Sequence, residues 1–158
     1  MARSDNDKAE RLASFFSSIG ASGLHDVWNL ANKPGIKHEL VINITEEEVL
    51  KKLQKLKISK SPGPDGMHPR VLKEIRDSLV TPLTILFQNS LKLGTLPKAW
   101  KEANITAIFK KGKKSRVSNY RPVSLTSVVC KLMESLVRDA LVDYMKKILF
   151  LVTYNLGF

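Results

Sequence analysis

The sequence predicts an α+β fold in which helices predominate and a basic β-hairpin forms the sheet. Apolar residues recur at helical spacing through most of the chain. Two segments break that period. ANITAIFKK at 103–111 and NYRPVSLTS at 119–127 alternate between two faces, as strands do, and the turn-rich GKKSRVS connects them. With 158 residues, 43% of them apolar, the chain is long enough to bury one core.

The N-terminal part is predicted to be a helix followed by a loop. Apolar residues at i, i+3, i+4 and i+7 give residues 7–19 one apolar face, and Gly20 ends this helix. Residues 21–39 contain glycine and proline without any period, which predicts a connecting loop. LVIN at 40–43 is interpreted as a short strand or an extended approach to the next helix.

The second helix is predicted over 46–57, because Thr45 and Glu48 have the spacing of a capping box. Beyond a proline- and glycine-rich turn, RVLKEIRDSLVTPLTILFQNSLKLG predicts two more helices. Proline cannot donate a helical hydrogen bond, so we expect a break or kink near Pro82, and Gly94 closes the second of these helices.

The remaining elements are short, apart from the last. LPKAWKEA predicts a turn or short helix that packs Trp100 inward. Pro122 predicts that the second hairpin strand lies at an edge or a bulge. Apolar spacing from Val128 to Tyr144 predicts a final long helix.

The segment KSPGPDG at 60–66 is predicted to form a stiff turn of one preferred shape. Its two prolines fix φ, and its two glycines can adopt positive φ. Asp65 can accept hydrogen bonds from the free N–H groups at the start of the next helix. A turn of this kind beside a cluster of lysines suits an anion, and an ordinary inter-helix turn is the alternative. The cluster consists of Lys51, Lys52, Lys55, Lys57 and Lys60.

The charge indicates a polyanionic partner. Lysine and arginine exceed aspartate and glutamate by 26 − 15 = 11, which favours nucleic acid first and an anionic membrane surface second. Between Lys92 and Arg121 nine basic residues face a single acid, Glu102. A charge run is often only a solvated face, but this one is concentrated on the predicted hairpin, which favours contact with phosphates.

Several classes of protein are excluded or disfavoured by the composition. Cys130 is the single cysteine, so an internal disulfide is impossible and a zinc cluster is not expected. The chain has no secretory leader and no apolar run of membrane-spanning length, which predicts an intracellular, cytoplasmic or nuclear protein without a membrane partner. His25, His38 and His68 have no ligand spacing and are interpreted as incidental.

Three blocks in this order resemble the fingers region of reverse transcriptases from LINE-type (non-LTR), jockey-like retrotransposons. They are KSPGPDGMHPRVLKE, LPKAWKEANITAIFKKGKK and NYRPVSLTSVVCKLMESLV. The resemblance runs from about residue 7 to the last residue. It implies an N-terminal extension over 1–44 and a partial fingers domain of a right-hand polymerase over 45–158, truncated before the palm. The family usually has Gln-His before the closing Gly-Phe, whereas Asn155 and Leu156 stand here, which suggests a degraded copy or an altered reading frame.

The resemblance also implies roles for individual residues. In the family, a lysine on the first hairpin strand and an arginine on the second grip the triphosphate of the incoming deoxynucleotide. These positions correspond to Lys110 and Arg121, with Lys111, on the other strand face, as runner-up for the lysine. The KSPGPDG turn and the hairpin tip are expected to lie against an RNA template or an RNA–DNA hybrid, in one groove. The residues expected to make these contacts are Lys60, Ser61, Gly63, Asp65, Gly66, Lys111, Lys113, Lys114 and Arg116.

The catalytic part of the family enzyme is not expected in these residues. The family holds two Mg²⁺ ions with palm carboxylates, but no two aspartates of this chain are adjacent. Asp139 and Asp143 are interpreted as surface ion pairing rather than a metal site. We therefore expect no catalytic residue, no bound cofactor and no polymerase activity of the chain alone.

Two other functions remain open from the sequence. The chain could be a stand-alone basic nucleic-acid-binding module, or a helical interaction protein. The apolar run at 148–152 also predicts self-association of the isolated chain.

Overall fold

Helices and one small antiparallel sheet make up the part of the chain that the structure describes, which confirms the α+β class. The computed structural model describes residues 4–20 and 40–155, and of residues 149–155 the backbone alone. The predicted loop at 21–39 and most side chains of the predicted apolar tail lie outside these residues. The helices are α1 (Asp5–Gly20), α2 (Glu46–Gln54), α3 (Pro69–Glu74), α4 (Arg76–Leu93) and α5 (Val128–Asn155), and the strands are β1 (Ala103–Phe109) and β2 (Tyr120–Thr126). Short 3₁₀ turns at Lys98–Trp100 and Val117–Asn119 precede the two strands.

The described residues divide into two compact units. The hairpin unit contains α1 and Ile105–Ser124, and the helical unit contains the described residues of His38–Asn104 and Leu125–Phe158. The predicted boundary between 1–44 and 45–158 concerns the extent of a family domain, and it stays a prediction.

The apolar core belongs to the helical unit, where α2 packs against α4 and α5. Leu53 of α2 and Phe87 of α4 are completely buried at its centre. Trp100 packs edge-on against Phe87 with 5.9 Å between ring centroids, so its predicted inward position is confirmed. The core side of α5 is formed by Val128, Val129, Leu132, Met133 and Leu136.

The start of α2 is set by the predicted capping box. The Thr45 hydroxyl accepts from the Glu48 N–H at 3.3 Å, and the Glu48 carboxylate accepts from the Thr45 N–H at 3.0 Å. Residues 40–43 are irregular, so the strand alternative is wrong and the extended alternative remains. The helix ends at Gln54 rather than at residue 57, because the backbone at Lys55 leaves the helical region.

The two predicted helices are present as α3 and α4, but the break between them lies at Ile75 and not near Pro82, which is inside α4. The alternative of a kink at Pro82 stays a prediction. A proline in a helix interior costs about 3 kcal/mol. The core offsets that cost here, since α4 buries Leu83 and Phe87 after the proline and half-buries Leu79 before it. Gly94 ends the helix in the left-handed region at φ 62°, as predicted.

Candidate functional site

The register of the hairpin places the two predicted triphosphate-binding residues on one face. The Lys110 N–H donates to the Asn119 carbonyl at 2.8 Å, which makes these two residues opposite each other. One step along, Phe109 therefore lies opposite Tyr120, and their rings are in contact at 5.4 Å between centroids. Opposite residues of an antiparallel pair share a face, and successive residues alternate.

It follows that Lys110 and Arg121 are diagonal neighbours on the face opposite to the Phe109–Tyr120 contact. Diagonal neighbours have a spacing of about 7–8 Å, within reach of two long cationic side chains that converge on one ligand. Both residues are exposed. Lys111 comes one residue later, where the chain has left the strand and enters a bend.

The hairpin tip is held in one conformation by hydrogen bonds from side chains to its backbone. The Asn119 amide donates to the Lys113 carbonyl at 2.8 Å, and the Tyr120 hydroxyl donates to the Lys114 carbonyl at 3.0 Å. Gly112 has φ 89°, and a Cβ there would lie 2.7 Å from the Asn119 amide nitrogen. The tip is thus a fixed loop rather than a loose basic run.

Three of the predicted nucleic-acid contacts lie on this fixed loop. Lys113, Lys114 and Arg116 are all exposed. The Lys114 ammonium lies 5.8 Å from the centroid of the Phe109 ring, a cation–π distance. These three cations therefore belong to the same unit as Lys110 and Arg121, although Lys114 lies on the Phe109 side of the hairpin.

The hydrogen bonds of the KSPGPDG turn differ from those predicted. Asp65 accepts from the Met67 N–H at 3.2 Å, which closes a local turn and does not cap α3. The cap is His68, whose Nδ1 accepts from the Arg70 N–H at 3.1 Å. His68 therefore has a structural role as the cap of α3, and the prediction of Asp65 as the helix cap is wrong.

The two glycines of the turn serve different purposes. Gly66 has φ 68°, as the turn prediction requires, with open space around it. Gly63 has no positive φ but fits against the start of α5: a Cβ there would lie 2.6 Å from backbone atoms of Thr126 and Ser127. Ser127 is completely buried and its hydroxyl accepts from the Cys130 N–H at 3.4 Å. The turn is therefore packed onto the N-terminus of α5, and Lys60 and Ser61 are exposed beside it.

A cleft of about 650 Å³ opens next to this turn in the helical unit. Its floor is apolar, with Leu56, Leu125, Val128 and Leu132, and its rim is basic. The rim lysines include four from the predicted cluster and one from α5, and they are Lys52, Lys55, Lys57, Lys60 and Lys131. The turn and this cleft belong to the helical unit and the hairpin tip to the hairpin unit, so the single groove stays a prediction.

Asp139 and Asp143 of α5 form ion pairs, as predicted. Asp139 contacts the Lys52 ammonium at 2.5 Å and the Arg138 guanidinium at 2.9 Å, and Asp143 lies 3.7 Å from Lys146. Hydrogen bonds from Lys52 and then from Arg138 lower the pKa of Asp139.

The described residues do not fit the magnesium pair that the resemblance implies for the intact enzyme. Among them, no group of three His, Cys, Asp or Glu side chains is arranged to hold a metal ion. Within the same residues, no helix combines the length and the apolar character needed to cross a membrane.

Sequence comparison supports the resemblance, although no protein-family profile matches the chain. The chain is 38% identical over 99 residues, 62% of its length, to the RNA-directed DNA polymerase from mobile element jockey of Drosophila melanogaster. It is 34% identical over 116 residues, 73% of its length, to the probable RNA-directed DNA polymerase from transposon BS of the same organism. It is 31% identical over 97 residues, 61% of its length, to an uncharacterized 149 kDa protein of transposon TX1 from Xenopus laevis. The matches span 11%, 13% and 7% of the lengths of these three relatives.

Proposed function

The chain belongs to the family of RNA-directed DNA polymerases of non-LTR retrotransposons, and we propose that it is the fingers segment of such an enzyme. In this proposal the segment binds the template strand and the triphosphate of the incoming deoxynucleotide. Catalytic carboxylates and Mg²⁺ belong to the intact enzyme, and we assign no step of the chemistry to the residues of this chain.

The observation that carries the proposal is the diagonal placement of Lys110 and Arg121 on one hairpin face. A triphosphate needs concentrated positive charge, and the two side chains supply it in complementary forms. Arginine offers a rigid fork of donors that matches phosphate oxygens, and lysine offers a mobile point charge. Lys110, directly after β1, still donates a backbone hydrogen bond across the hairpin to Asn119, whereas Lys111 lies in the bend, which favours Lys110 for the lysine role.

Template binding is supported by the fixed loop at the hairpin tip and by the basic rim of the cleft beside KSPGPDG. Contacts from these cations to phosphates position a strand but carry no sequence information. The two aromatic rings of the hairpin are in contact with each other, so charge rather than base stacking is expected to dominate the affinity.

Triphosphate binding is tested by titrating the chain with a fluorescent deoxynucleoside triphosphate. We expect Lys110→Gln and Arg121→Gln each to weaken binding about fivefold, the equivalent of about 1 kcal/mol. Lys111→Gln is the matched control, since it removes the same charge one residue away. Equal losses in all three variants would mean that the hairpin attracts the ligand only as a diffuse basic surface.

Strand binding is tested by fluorescence anisotropy of a labelled single-stranded RNA across a salt series. Each phosphate contact on a single strand contributes a slope of about −0.7 in log K against log salt. Replacing Lys113, Lys114 and Arg116 with glutamine should therefore make the slope shallower by about two. The control replaces three exposed lysines of the helical unit, Lys92, Lys146 and Lys147. An equal change in slope for both triple variants would contradict a specific role of the loop.

A further inference from the structure

Helix α1 packs against the tip of the hairpin, a contact that the sequence alone did not indicate. The two elements form one compact unit, and α1 lies against the 3₁₀ turn Val117–Asn119. Lys8 and Arg11, on the first two turns of α1, are exposed. Two cations that are remote in sequence from the hairpin therefore lie beside its basic loop.

A cavity of about 320 Å³ lies where α1 meets the loop. Three of its lining residues are cations, and none is acidic. The rest of the lining is mainly apolar or aromatic. The residues that matter here are Lys8, Arg11, Lys114, Leu12, Val117 and Tyr120.

The aromatic wall of this cavity is held in place. The Tyr120 hydroxyl is used in the hydrogen bond to the Lys114 carbonyl, and the ring contacts Phe109. Leu12 and Val117 are half-buried beside it. A cavity with an apolar wall and three cations suits a ligand that has both an apolar ring and a phosphate, which is the chemistry of one nucleotide in a strand.

The cations of α1 are accessible to such a ligand. Lys8 forms an ion pair with Asp5 at 2.7 Å, but the side chain of Lys8 is 60% exposed and that of Asp5 98%. Ion pairs with this exposure are weak, so a phosphate of the bound strand can compete with the carboxylate. Arg11 also lines a second cavity, of about 750 Å³, on which Arg116 of the loop borders. It thus lies between the two cavities and next to the loop cations.

We propose that α1 extends the strand-binding surface of the hairpin, with Lys8 and Arg11 contacting backbone phosphates and Tyr120 bordering the nucleotide between them. The proposal rests on the proposed function, since it assumes that the loop binds a strand. It assigns to the N-terminal helix a binding role in addition to its packing role.

The test is the same salt series with labelled single-stranded RNA. We expect the double variant Lys8→Gln/Arg11→Gln to make the slope shallower by about 1.4, twice the single-contact value. The matched control is Lys146→Gln/Lys147→Gln, which removes the same charge from an exposed helix and also breaks one i, i+3 ion pair, that of Lys146 with Asp143. An unchanged slope in the α1 variant, with a changed slope in the loop triple variant, would overturn this inference and leave the proposed function standing. If the loop triple variant also had no effect, the proposed function would fail with it.

A conservative variant separates a phosphate contact from a packing role of Arg11. Arg11→Lys keeps the charge and shortens the side chain, so the slope should stay that of the wild type, while Arg11→Gln should make it shallower by about 0.7. Equal changes for Arg11→Lys and Arg11→Gln would show that Arg11 acts through its packing on the loop, and that result would contradict the proposal.

Discussion

Replacing Gly63 with alanine tests whether the KSPGPDG turn is packed onto the start of α5. The new Cβ would lie 2.6 Å from the Ser127 nitrogen and from the carbonyl carbon and oxygen of Thr126. These are backbone atoms next to a completely buried residue, so no flexible side chain can move aside. Overpacking of this kind costs about 1–3 kcal/mol, and we expect the upper end.

The controls are Gly66→Ala and Gly94→Ala. Both glycines have positive φ and open space, so alanine there meets only the conformational cost of the left-handed region, about 1 kcal/mol. The comparison therefore separates a steric clash from loss of glycine's conformational freedom. All three variants are made in a Trp28→Phe background, so that the buried Trp100 is the single tryptophan reporter.

The assay is urea unfolding followed by Trp100 fluorescence. With an m-value of about 2 kcal/mol/M, 3 kcal/mol lowers the midpoint by about 1.5 M and 1 kcal/mol by about 0.5 M. A midpoint for Gly63→Ala at or above those of the two controls would refute the packing of the turn onto α5.

Three other predictions concern the Cys130 thiol, the Asp139 carboxylate and the absence of polymerase activity. Burial, and then the nearby Glu134 carboxylate, raise the pKa of Cys130 to about 11. We therefore expect Cys130 not to react with Ellman's reagent at pH 8 until urea unfolds the chain. Rapid reaction of the folded chain would contradict this prediction. Because the unfolded thiol ionises first, the free energy of unfolding should also fall as the pH rises from about 9 towards 11. Hydrogen bonds from Lys52 and Arg138 lower the pKa of Asp139, so the stability it contributes is present above the unfolded pKa of about 3.9 and is lost as the pH falls below it. Asp139→Asn should flatten the pH dependence of the urea midpoint between about pH 5 and pH 3, and an unchanged profile would rule out this contribution. Primer extension on an RNA template with Mg²⁺ should give no incorporation by the 158-residue chain, and incorporation above a buffer control would show that its carboxylates were misinterpreted.

The elements that could be predicted from the sequence are those with local causes. The side chains of Thr45 and Glu48 each accept a hydrogen bond from the other residue's backbone N–H within one turn, so their spacing alone was sufficient to predict the start of α2. The alternation in the hairpin strands was sufficient to predict both of them, to within two residues at each end. Lys110 and Arg121 were assigned by resemblance, and the register that places them on one face came from the structure.

The features that could not be predicted depend on contacts between distant segments. The apolar side chains of α4 that flank Pro82 are buried against other helices, and their burial keeps the helix continuous through the proline. Gly63 has no positive φ, so the turn rules that explain Gly66 do not explain why position 63 needs glycine. Glycine is needed there because a Cβ would clash with the backbone of Thr126. The contact of α1 with the hairpin joins segments about a hundred residues apart, and periodicity carries no information about such a pairing.

One prediction missed a signal that was present locally. His68 stands directly before a proline, and proline is favoured in the first position of a helix. That pair of residues indicated a cap at position 68 rather than at Asp65. An imidazole nitrogen is an uncommon capping acceptor, and aspartate leads the usual preferences, which favoured the wrong residue.

We infer that Lys110 and Arg121 form one triphosphate site on a single face of the hairpin. The most direct measurement is a two-dimensional ¹H–¹⁵N spectrum of the labelled chain, titrated with an unmodified deoxynucleoside triphosphate. We expect saturable shifts of the amides of Lys110, Asn119 and Arg121, with those of Lys51 and Lys146 unchanged at the same concentrations. Small shifts of equal size at all basic residues, or none on the hairpin, would contradict the claim.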